Sequence, residues 1–503
     1  MLPVLLFAAT TAVSVDRATC ESLQSLSLPE TTILSATLVP AGPFTPAVTP
    51  ITQKPQTFQI PVEACRVIGV VKPQVNFEVW MPASNWNGKF QGVGGGGFAG
   101  VISYGAMMTA LRRGYATAST DTGHNTPGGS WALGHPELIV DFAYRAIHEM
   151  TVKSKEIVKT FYGNAPARSY FVGCSTGGRQ GLMEAQRFPA DYDGIVAGAP
   201  ANYWTHLMAG ALSPAVVTMN DDARLSPAKL SALNKGALVA CDAGDGVTDS
   251  LINNPLVCKF DPGTLACSGE ETEVCLTAPQ IAAARKIYAD SINPKTKKKI
   301  FPGMAPGGEI TWTALTGTYP FGIPVDFYKY FVVSNPDWDW HTFDYDKDLA
   351  LTDEKFAKVM NATDPDLKSF SKRGGKLIMY HGWNDQLIQP YNSIDYYTSV
   401  QKKMGAKDTD PSTRGLAQGI GDFARLFMVP GMQHCAGGVG PNTFDAVTAL
   451  EQWVEKATKP ALLVGSHTSN GVVDRTRPLC PYPQVASYKG TGSIDEAASF
   501  VCK

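Results

Sequence analysis

The run Tyr170-Phe171-Val172-Gly173-Cys174-Ser175-Thr176-Gly177-Gly178-Arg179 limits what this chain can fold into more than any other stretch. An apolar strand pattern ends in Gly-x-Ser-x-Gly and passes at once into a helical pattern through Gln180, Leu182, Met183 and Ala185. Strand, sharp turn and helix in that order lift a serine hydroxyl clear of the C-terminal edge of a sheet. Glycines two residues to either side let the backbone fold back without Cβ clashes. Ser175 is therefore the candidate nucleophile, and the rest of the chain is expected to build the sheet beneath it.

That sheet is legible in outline. Tyr115 to Asp121, Tyr192 to Pro200, Gly375 to Tyr380 and Ala424 to Val429 read as short buried strands, and Pro136 to Phe161 has helical spacing. Strands alternating with helices imply right-handed crossovers and a mainly parallel sheet, so the fold class is α/β. Ahead of it, Cys20 to Pro82 carries apolar alternation with many Thr and Pro, which predicts an antiparallel β section. Val75-Asn76-Phe77-Glu78-Val79-Trp80 predicts a strand with one face buried. Between 204 and 362 the rhythm changes to helical segments, prolines and many aromatics, among them Trp312, Tyr319, Phe327, Tyr328, Phe331, Trp338 and Trp340. The parallel-sheet pattern then resumes. The expected organisation is a segment over 1–19, a catalytic domain in two parts, 20–203 and 363–503, and a lid over 204–362 inserted between them. Most of the lid aromatics are expected to form its core, with a few left to line an aromatic substrate pocket.

With 43 basic and 45 acidic residues, a net charge of −2 points away from nucleic acid and anionic membrane surfaces and towards a small-molecule partner. Leu2 to Ala9 is apolar and is followed by small residues through Ser14, resembling the hydrophobic part of a signal peptide without a basic start. No later run is long enough to span a bilayer. The ten cysteines include no Cys-x-x-Cys pair and have no accompanying histidines. This argues for disulfides rather than zinc, in a secreted or periplasmic protein. Asn361-Ala362-Thr363 is the one glycosylation sequon.

A serine nucleophile needs a base, and the base an orienting acid. In this kind of fold they follow the serine as acid, then histidine. His434 lies beyond the strand Ala424 to Val429, through the turn Pro430-Gly431-Met432-Gln433, and is the candidate base. Asp385 follows the strand ending at Tyr380 and is the candidate acid. His381 also follows that strand, with Asp385 only four residues further on, while Asp193 precedes its strand and belongs to the wrong edge. Gly94-Gly95-Gly96-Gly97 after Lys89 to Val93 is entropically costly and suits either a flexible turn or a close approach of amide N–H groups to a ligand. In a serine hydrolase one oxyanion donor sits there, and the other is the amide after the nucleophile, Thr176. Cys174 precedes Ser175 and Cys435 follows His434, so a bond between them would join the nucleophile turn to the base loop. It would close about 260 residues, which the chain-entropy model values at roughly 5 kcal/mol. In the lid, Cys241-Asp242-Ala243-Gly244-Asp245-Gly246-Val247-Thr248-Asp249-Ser250-Leu251 gathers three carboxylates. Spacing alone leaves a calcium site and a solvated acidic turn both open, and the flanking Cys241 and Cys258 favour an ion site.

Taken together these motifs resemble the tannase and feruloyl esterase family, secreted α/β-hydrolases with a lid. The resemblance runs from Cys20 to Cys502. It rests on Gly173 to Arg179, on Tyr380-His381-Gly382-Trp383-Asn384-Asp385, on Pro430-Gly431-Met432-Gln433-His434-Cys435 and on Arg477-Pro478-Leu479-Cys480-Pro481-Tyr482-Pro483. It implies Ser175, Asp385 and His434 as triad and a Cys174–Cys435 bridge. It also implies oxyanion donors at Thr176 and a glycine of Gly94 to Gly96, with Gly95 the first choice. The implied lid calcium is held by side chains of Asp242, Asp245 and Asp249 with backbone oxygens of Val247 and Leu251. Proximity and the family pattern pair Cys20 with Cys65, Cys267 with Cys275 and Cys480 with Cys502.

The activity so implied is hydrolysis of aromatic acid esters through an acyl-enzyme, on feruloyl esters first and galloyl esters second. The ester would be small or attached to plant polysaccharide or polyphenol. A mono(2-hydroxyethyl) terephthalate substrate is disfavoured because no arginine lies between Lys286 and Lys372 to clamp its carboxylate, with Lys329 a weak substitute. The competing readings are a generic carboxylesterase, a cysteine hydrolase using a free Cys174 with His434, and a calcium-dependent binding module on an inactive scaffold.

Overall fold

The computed structural model describes residues 17–317, 319–405 and 420–503. The apolar opening from Leu2 to Ser14 lies outside them. The chain forms two compact units. One takes in the chain up to Val93 with Gly100–Asn125 and Ala146–Tyr170; the other comprises Gly94–Ala99, Thr126–Arg145 and Phe171–Lys503. The segment read from sequence as a lid, 204–362, falls within the second.

The first unit contains the expected antiparallel section. Thr31–Val39, Ala64–Val71 and Val75–Pro82 pair in sequence, with Thr31 opposite Val71 and Val71 opposite Val75. Ala116–Thr120 pairs antiparallel with Val75–Pro82 and parallel with Lys89–Val93, where the sheet changes direction. Val75, Phe77 and Val79 are fully buried, as their alternation predicts. The opposite face is covered too. Glu78 is buried there and accepts from Arg66 Nε at 2.9 Å, from the Tyr104 hydroxyl at 2.6 Å and from Trp80 Nε1 at 2.8 Å. The alternation signals a half-buried strand, and the helix Tyr104–Arg112 closes its other side by supplying polar partners to a residue that would otherwise face water.

In the second unit Gly194–Gly198, Lys376–Gly382 and Ala424–Val429 run parallel, with Leu377 paired to both Ile195 and Ala424. The architecture is α/β with a large, mainly parallel sheet, as expected. Aromatics of the 204–362 segment are mostly core. Phe327, Tyr328, Phe331 and Trp338 pack with Phe98, Trp131, Phe142 and Trp204, while Trp312 anchors a second cluster with Leu230, Leu233 and Ile287. Tyr319 is exposed. Among the described residues no helix is long and apolar enough to cross a membrane.

The helix predicted over Pro136 to Phe161 is interrupted. Pro136–Val140 and Ala146–Tyr162 are α-helical, but Asp141–Arg145 forms a π-helical turn. A wide turn frees carbonyls from the helical ladder, and Arg179 uses them. Its fully buried guanidinium donates to Phe142 O at 3.2 Å and Ala143 O at 3.1 Å, and to Met360 O at 3.3 Å. It also stacks 4.7 Å from the Phe142 ring and 5.0 Å from Trp204. Burial lowers this arginine to about 9, so carbonyl dipoles and π faces hold it where no carboxylate does.

Next to Arg179, a Cβ on Gly178 would lie 2.3 Å from Gly198 O and 2.9 Å from Pro200 Cα, both backbone atoms with no freedom to yield. Gly178→Ala is expected to destabilise the protein by about 1–3 kcal/mol or to abolish soluble expression, read as a shift in urea midpoint. An unchanged midpoint would contradict the close approach.

Candidate active site

The turn after Arg168–Cys174 places Ser175 at φ 64° and ψ −124°, a sparsely populated conformation for a residue with a side chain. Its surroundings hold it there. Ser175 N–H donates to Gly198 O at 3.0 Å, and Ser175 O accepts from Arg179 N at 3.0 Å and Ala201 N at 3.1 Å. Glycine is required two residues before, because a Cβ on Gly173 would sit 2.4 Å from Gly177 O. The hydroxyl is half-buried at the mouth of the helix Thr176–Arg187.

His434 comes from the loop after Ala424–Val429, and Asp385 from the loop after Lys376–Gly382. The structure brings these two together, His434 Nδ1 lying 2.8 Å from Asp385 Oδ2. An ionised carboxylate only accepts, so Nδ1 carries the proton and Nε2 is left as a base. Asp385 is almost fully buried. Its Oδ1 accepts from Leu387 N at 2.8 Å and Ile388 N at 2.9 Å. Burial pushes this carboxyl up, but the hydrogen bonds from His381 and His434, reinforced by their charge, win and hold it well below the usual carboxylate range. With the folded value below the unfolded one, the pairing stabilises the fold at every pH above about 3.9. The contribution is lost as pH falls through the lowered folded value.

No hydrogen bond joins Ser175 to His434 in this structure; such contacts are often long before substrate binds. What holds the two loops together is covalent. Cys174 and Cys435 form a disulfide with Cα atoms 5.9 Å apart. The other eight cysteines pair as Cys20–Cys65, Cys241–Cys258, Cys267–Cys275 and Cys480–Cys502, and no free thiol remains for a cysteine nucleophile.

The glycine loop lies against the elbow helix. Thr176 Oγ1 donates to Gly97 O at 2.6 Å, and a Cβ on Gly94 would meet Gly177 Cα at 2.6 Å. Gly95 is differently employed from the expectation that it is an oxyanion donor, since its N–H donates to Gln180 Oε1 at 3.0 Å. Gly94 N–H donates to Val172 O at 3.0 Å. Ile323, from the helix Gly322–Asp326, comes close enough that a Cβ on Gly97 would lie 3.6 Å from its Cδ1.

Two further side chains were not assigned from sequence. His381, set aside there in favour of Asp385, is fully buried with Nε2 3.1 Å from Asp385 Oδ2 and 3.0 Å from Ile388 O. Both neighbours accept, so Nε2 carries the proton, and Nδ1 accepts from the Ser393 hydroxyl at 2.7 Å. Gln180 reads only as part of a helical pattern. The sequon asparagine, Asn361, is buried with its amide donating to Thr205 Oγ1 at 3.0 Å, which leaves no room for a glycan in the folded protein.

In the acidic loop, Asp242 accepts from Asp249 N at 3.1 Å and Ser250 N at 2.8 Å, and Asp245 accepts from Val247 N at 3.1 Å and from Asn253. Arg477 binds Asp249 Oδ2, while the buried Oδ1 of Asp249 has no protein partner. Burial pushes Asp245 and Asp249 upward against the pull of the Val247 amide and Arg477 respectively, and each also feels a neighbouring carboxylate.

A strained serine elbow, an Asp–His pair and a disulfide joining their loops, on an α/β sheet, form the arrangement expected of a serine hydrolase. The tannase and feruloyl esterase family model matches residues 61–503, and the chain belongs to that family. An uncharacterised esterase of Xanthomonas campestris pv. campestris is 39% identical over 96% of this chain and 91% of its own length. A probable feruloyl esterase B-2 of Neosartorya fischeri is 34% identical over 88% of this chain and 87% of its own. The crystal structure of feruloyl esterase B from Aspergillus oryzae superposes with a TM-score of 0.91 at 30% identity, covering 97% of this chain and all of that one. Tannin acyl hydrolase from Aspergillus niger, at 22% identity over 99% of this chain and 96% of its own, shares the fold with a TM-score of 0.80.

Because His381 donates to the same oxygen as His434, His381→Phe is expected to lower kcat for ester hydrolysis about tenfold or more with KM little changed. That is the kinetic equivalent of one charge-assisted hydrogen bond. Wild-type kcat in a folded variant would show that the contact is packing only.

Proposed function

We propose that this protein is a secreted serine esterase that cleaves esters of aromatic acids, feruloyl esters first among them. The observation that carries the reading is the 2.8 Å Asp385–His434 contact on a loop bonded through Cys435 to the residue before Ser175. Support for the acyl group comes from the names of the relatives at 30% identity and above. Secretion is supported by the five disulfides.

In the first step Ser175 Oγ bonds to the ester carbonyl carbon while its proton passes to His434 Nε2. Asp385 holds the ring in the needed tautomer and balances its positive charge. Backbone amides at Thr176 and in the glycine loop receive the oxyanion. The C–O bond to the alcohol then breaks, and the alcohol leaves with the proton from His434. Water repeats the sequence on the acyl-enzyme, giving up one proton to His434, which returns it to Ser175 as the acid departs. The inserted segment, with Ile323 over the glycine loop, roofs the acyl site as a lid.

The acidic loop suits a structural calcium ion. Asp242, Asp245 and Asp249 side chains with backbone oxygens of Val247 and Leu251 would hold it. A buried, unpartnered Asp249 oxygen amid mutually repelling carboxylates is what a cation relieves. Such an ion would supply cross-linking charge to the loop.

Initial rates on methyl ferulate, methyl gallate and mono(2-hydroxyethyl) terephthalate, with Ser175→Ala in parallel, test the assignment. Methyl ferulate is expected to turn over fastest, and the variant is expected to lose at least a thousandfold in kcat. Preference for methyl gallate would move the protein to the tannase branch, and preference for acetyl esters to a generic carboxylesterase. Failure on all of these would indicate a binding module. Separately, EDTA is expected to lower the thermal midpoint and calcium to restore it. Calcium at a hundred times its dissociation constant contributes about 2.7 kcal/mol, whereas a solvated acidic turn would leave the midpoint unmoved.

A further inference from the structure

The helix that begins at Thr176 sends two side chains to the glycine loop. Thr176 Oγ1 takes Gly97 O at 2.6 Å, and Gln180 Oε1 takes Gly95 N–H at 3.0 Å. Gln180 is 1% exposed. Its partner is a donor, so the amide oxygen must face the loop, which leaves Nε2 buried among the described residues without an acceptor. An unsatisfied buried amide costs about 1–3 kcal/mol. The glutamine therefore bears one unpaired donor in order to supply an acceptor to the Gly95 amide. The loop is pressed onto it as well: a Cβ on Gly94 would lie 3.0 Å from Gln180 Oε1, and one on Gly177 would lie 3.0 Å from Gly95 O.

With Gly94 N–H on Val172 O and Gly95 N–H on Gln180, the next amide in the loop, Gly96, has no protein acceptor among the described residues. Thr176 N–H, first in its helix, has none either. We propose that Gln180 is a positioning residue for the oxyanion hole. By taking the Gly95 amide it fixes the peptide planes of the loop, so that Gly96 N–H and Thr176 N–H are the pair that receives the oxyanion. A glycine loop has the widest backbone freedom of any sequence, and a hole made from one needs an outside group to set its geometry before the substrate arrives. Gln180 does this from the helix that carries the nucleophile, so donor and nucleophile share one rigid element. The inference deepens the serine esterase reading and rests on it.

The test compares Gln180→Leu, which removes the acceptor, with Gln180→Glu, which keeps an acceptor oxygen. Gln180→Met is the apolar variant to use if leucine does not fold. Active sites are titrated with a fluorophosphonate, kcat and KM are measured on methyl ferulate and 4-nitrophenyl acetate, and affinity is measured for phenylboronic acid. That probe accepts Ser175 Oγ at boron, with the serine proton passing to His434, and places an anionic tetrahedral oxygen where the oxyanion forms. The apolar variant is expected to lose about 10- to 100-fold in kcat per titrated site on both substrates, somewhat less than deletion of a donor itself. KM should stay within about twofold, the boronate should weaken by the same factor as kcat/KM, and glutamate should recover part of the loss. A residue that merely packs the helix would lower the titrated fraction and the melting temperature while leaving turnover per site and boronate affinity as in the wild type, and that result would overturn the proposal. Wild-type values in the apolar variant beside an inactive Ser175→Ala would overturn the Gln180 assignment alone. Continued turnover by Ser175→Ala would overturn the serine reading and this inference with it.

Discussion

Everything at the site depends on one covalent link, the disulfide between Cys174 and Cys435. The three candidate catalytic side chains stand on three separate loops, and among those side chains one hydrogen bond, His434 Nδ1 to Asp385 Oδ2, is formed. Ser175 and His434 share no hydrogen bond here, so their mutual position is set through the residues beside them, whose Cα atoms the bridge holds 5.9 Å apart. The turn at Ser175 is itself strained, at φ 64°, and a strained turn relaxes unless its neighbours prevent it. Anchoring Cys174 from one side and Gly198 O and Ala201 N from the other leaves it no path to relax. A bridge spanning so much sequence constrains the unfolded chain too, but its local effect on two adjacent loops explains its position better than its entropy does.

The second feature of the site is burial of charged groups that take much of their hydrogen bonding from the backbone. Asp385 has four donors, two of them amides of its own loop. Arg179 is buried with no carboxylate, and the π-helical turn at Asp141–Arg145 supplies two of its three carbonyl partners. Removing such a cation from water is expensive, and paired carboxylates in an apolar interior often fail to recover the expense. Carbonyls and aromatic faces carry only partial charge, and they fix the guanidinium plane from several directions at once. The elbow helix is thereby tied to Phe142, Trp204 and Met360, the same aromatic core that takes up most aromatics of the inserted segment.

How much of this could be read beforehand divides along a physical line. Strands announced by continuous apolar runs fell where expected: Ala424–Val429 matches its prediction at both ends, and Gly194–Gly198 lies inside its own. The elbow, with glycines at fixed offsets, was equally plain, since the clash that forbids a Cβ at Gly173 or Gly178 acts over a few residues. Most of the features missed depend on a group distant in sequence. Glu78 looked solvent-facing because Arg66 and Tyr104, its partners, come from two other elements. The helix over Pro136 to Phe161 gave no sign of a π turn because the cause, Arg179, lies more than thirty residues on. His381 was visible as a residue but not as a donor to Asp385, because a four-residue spacing after a strand says nothing of which way a loop turns. The sequon at Asn361 matched the local pattern for a glycan while its burial was set by Thr205.

The same line bears on substrate choice. If the aromatics of 204–362 lined a substrate pocket, composition alone would rank candidate substrates, but Phe327, Tyr328, Phe331 and Trp338 are buried against one another and against Phe98 and Trp131. They set the rigidity of the segment rather than its chemistry. From that segment Ile323 comes near the glycine loop, its Cδ1 lying 3.6 Å from where a Cβ on Gly97 would sit. An aliphatic group there contributes area without a directed hydrogen bond, and a pocket of that kind separates acyl groups by only about 1–3 kcal/mol per added or missing group. The bridge, the glycine contacts and the buried Asp–His pair are all formed by residues outside that segment.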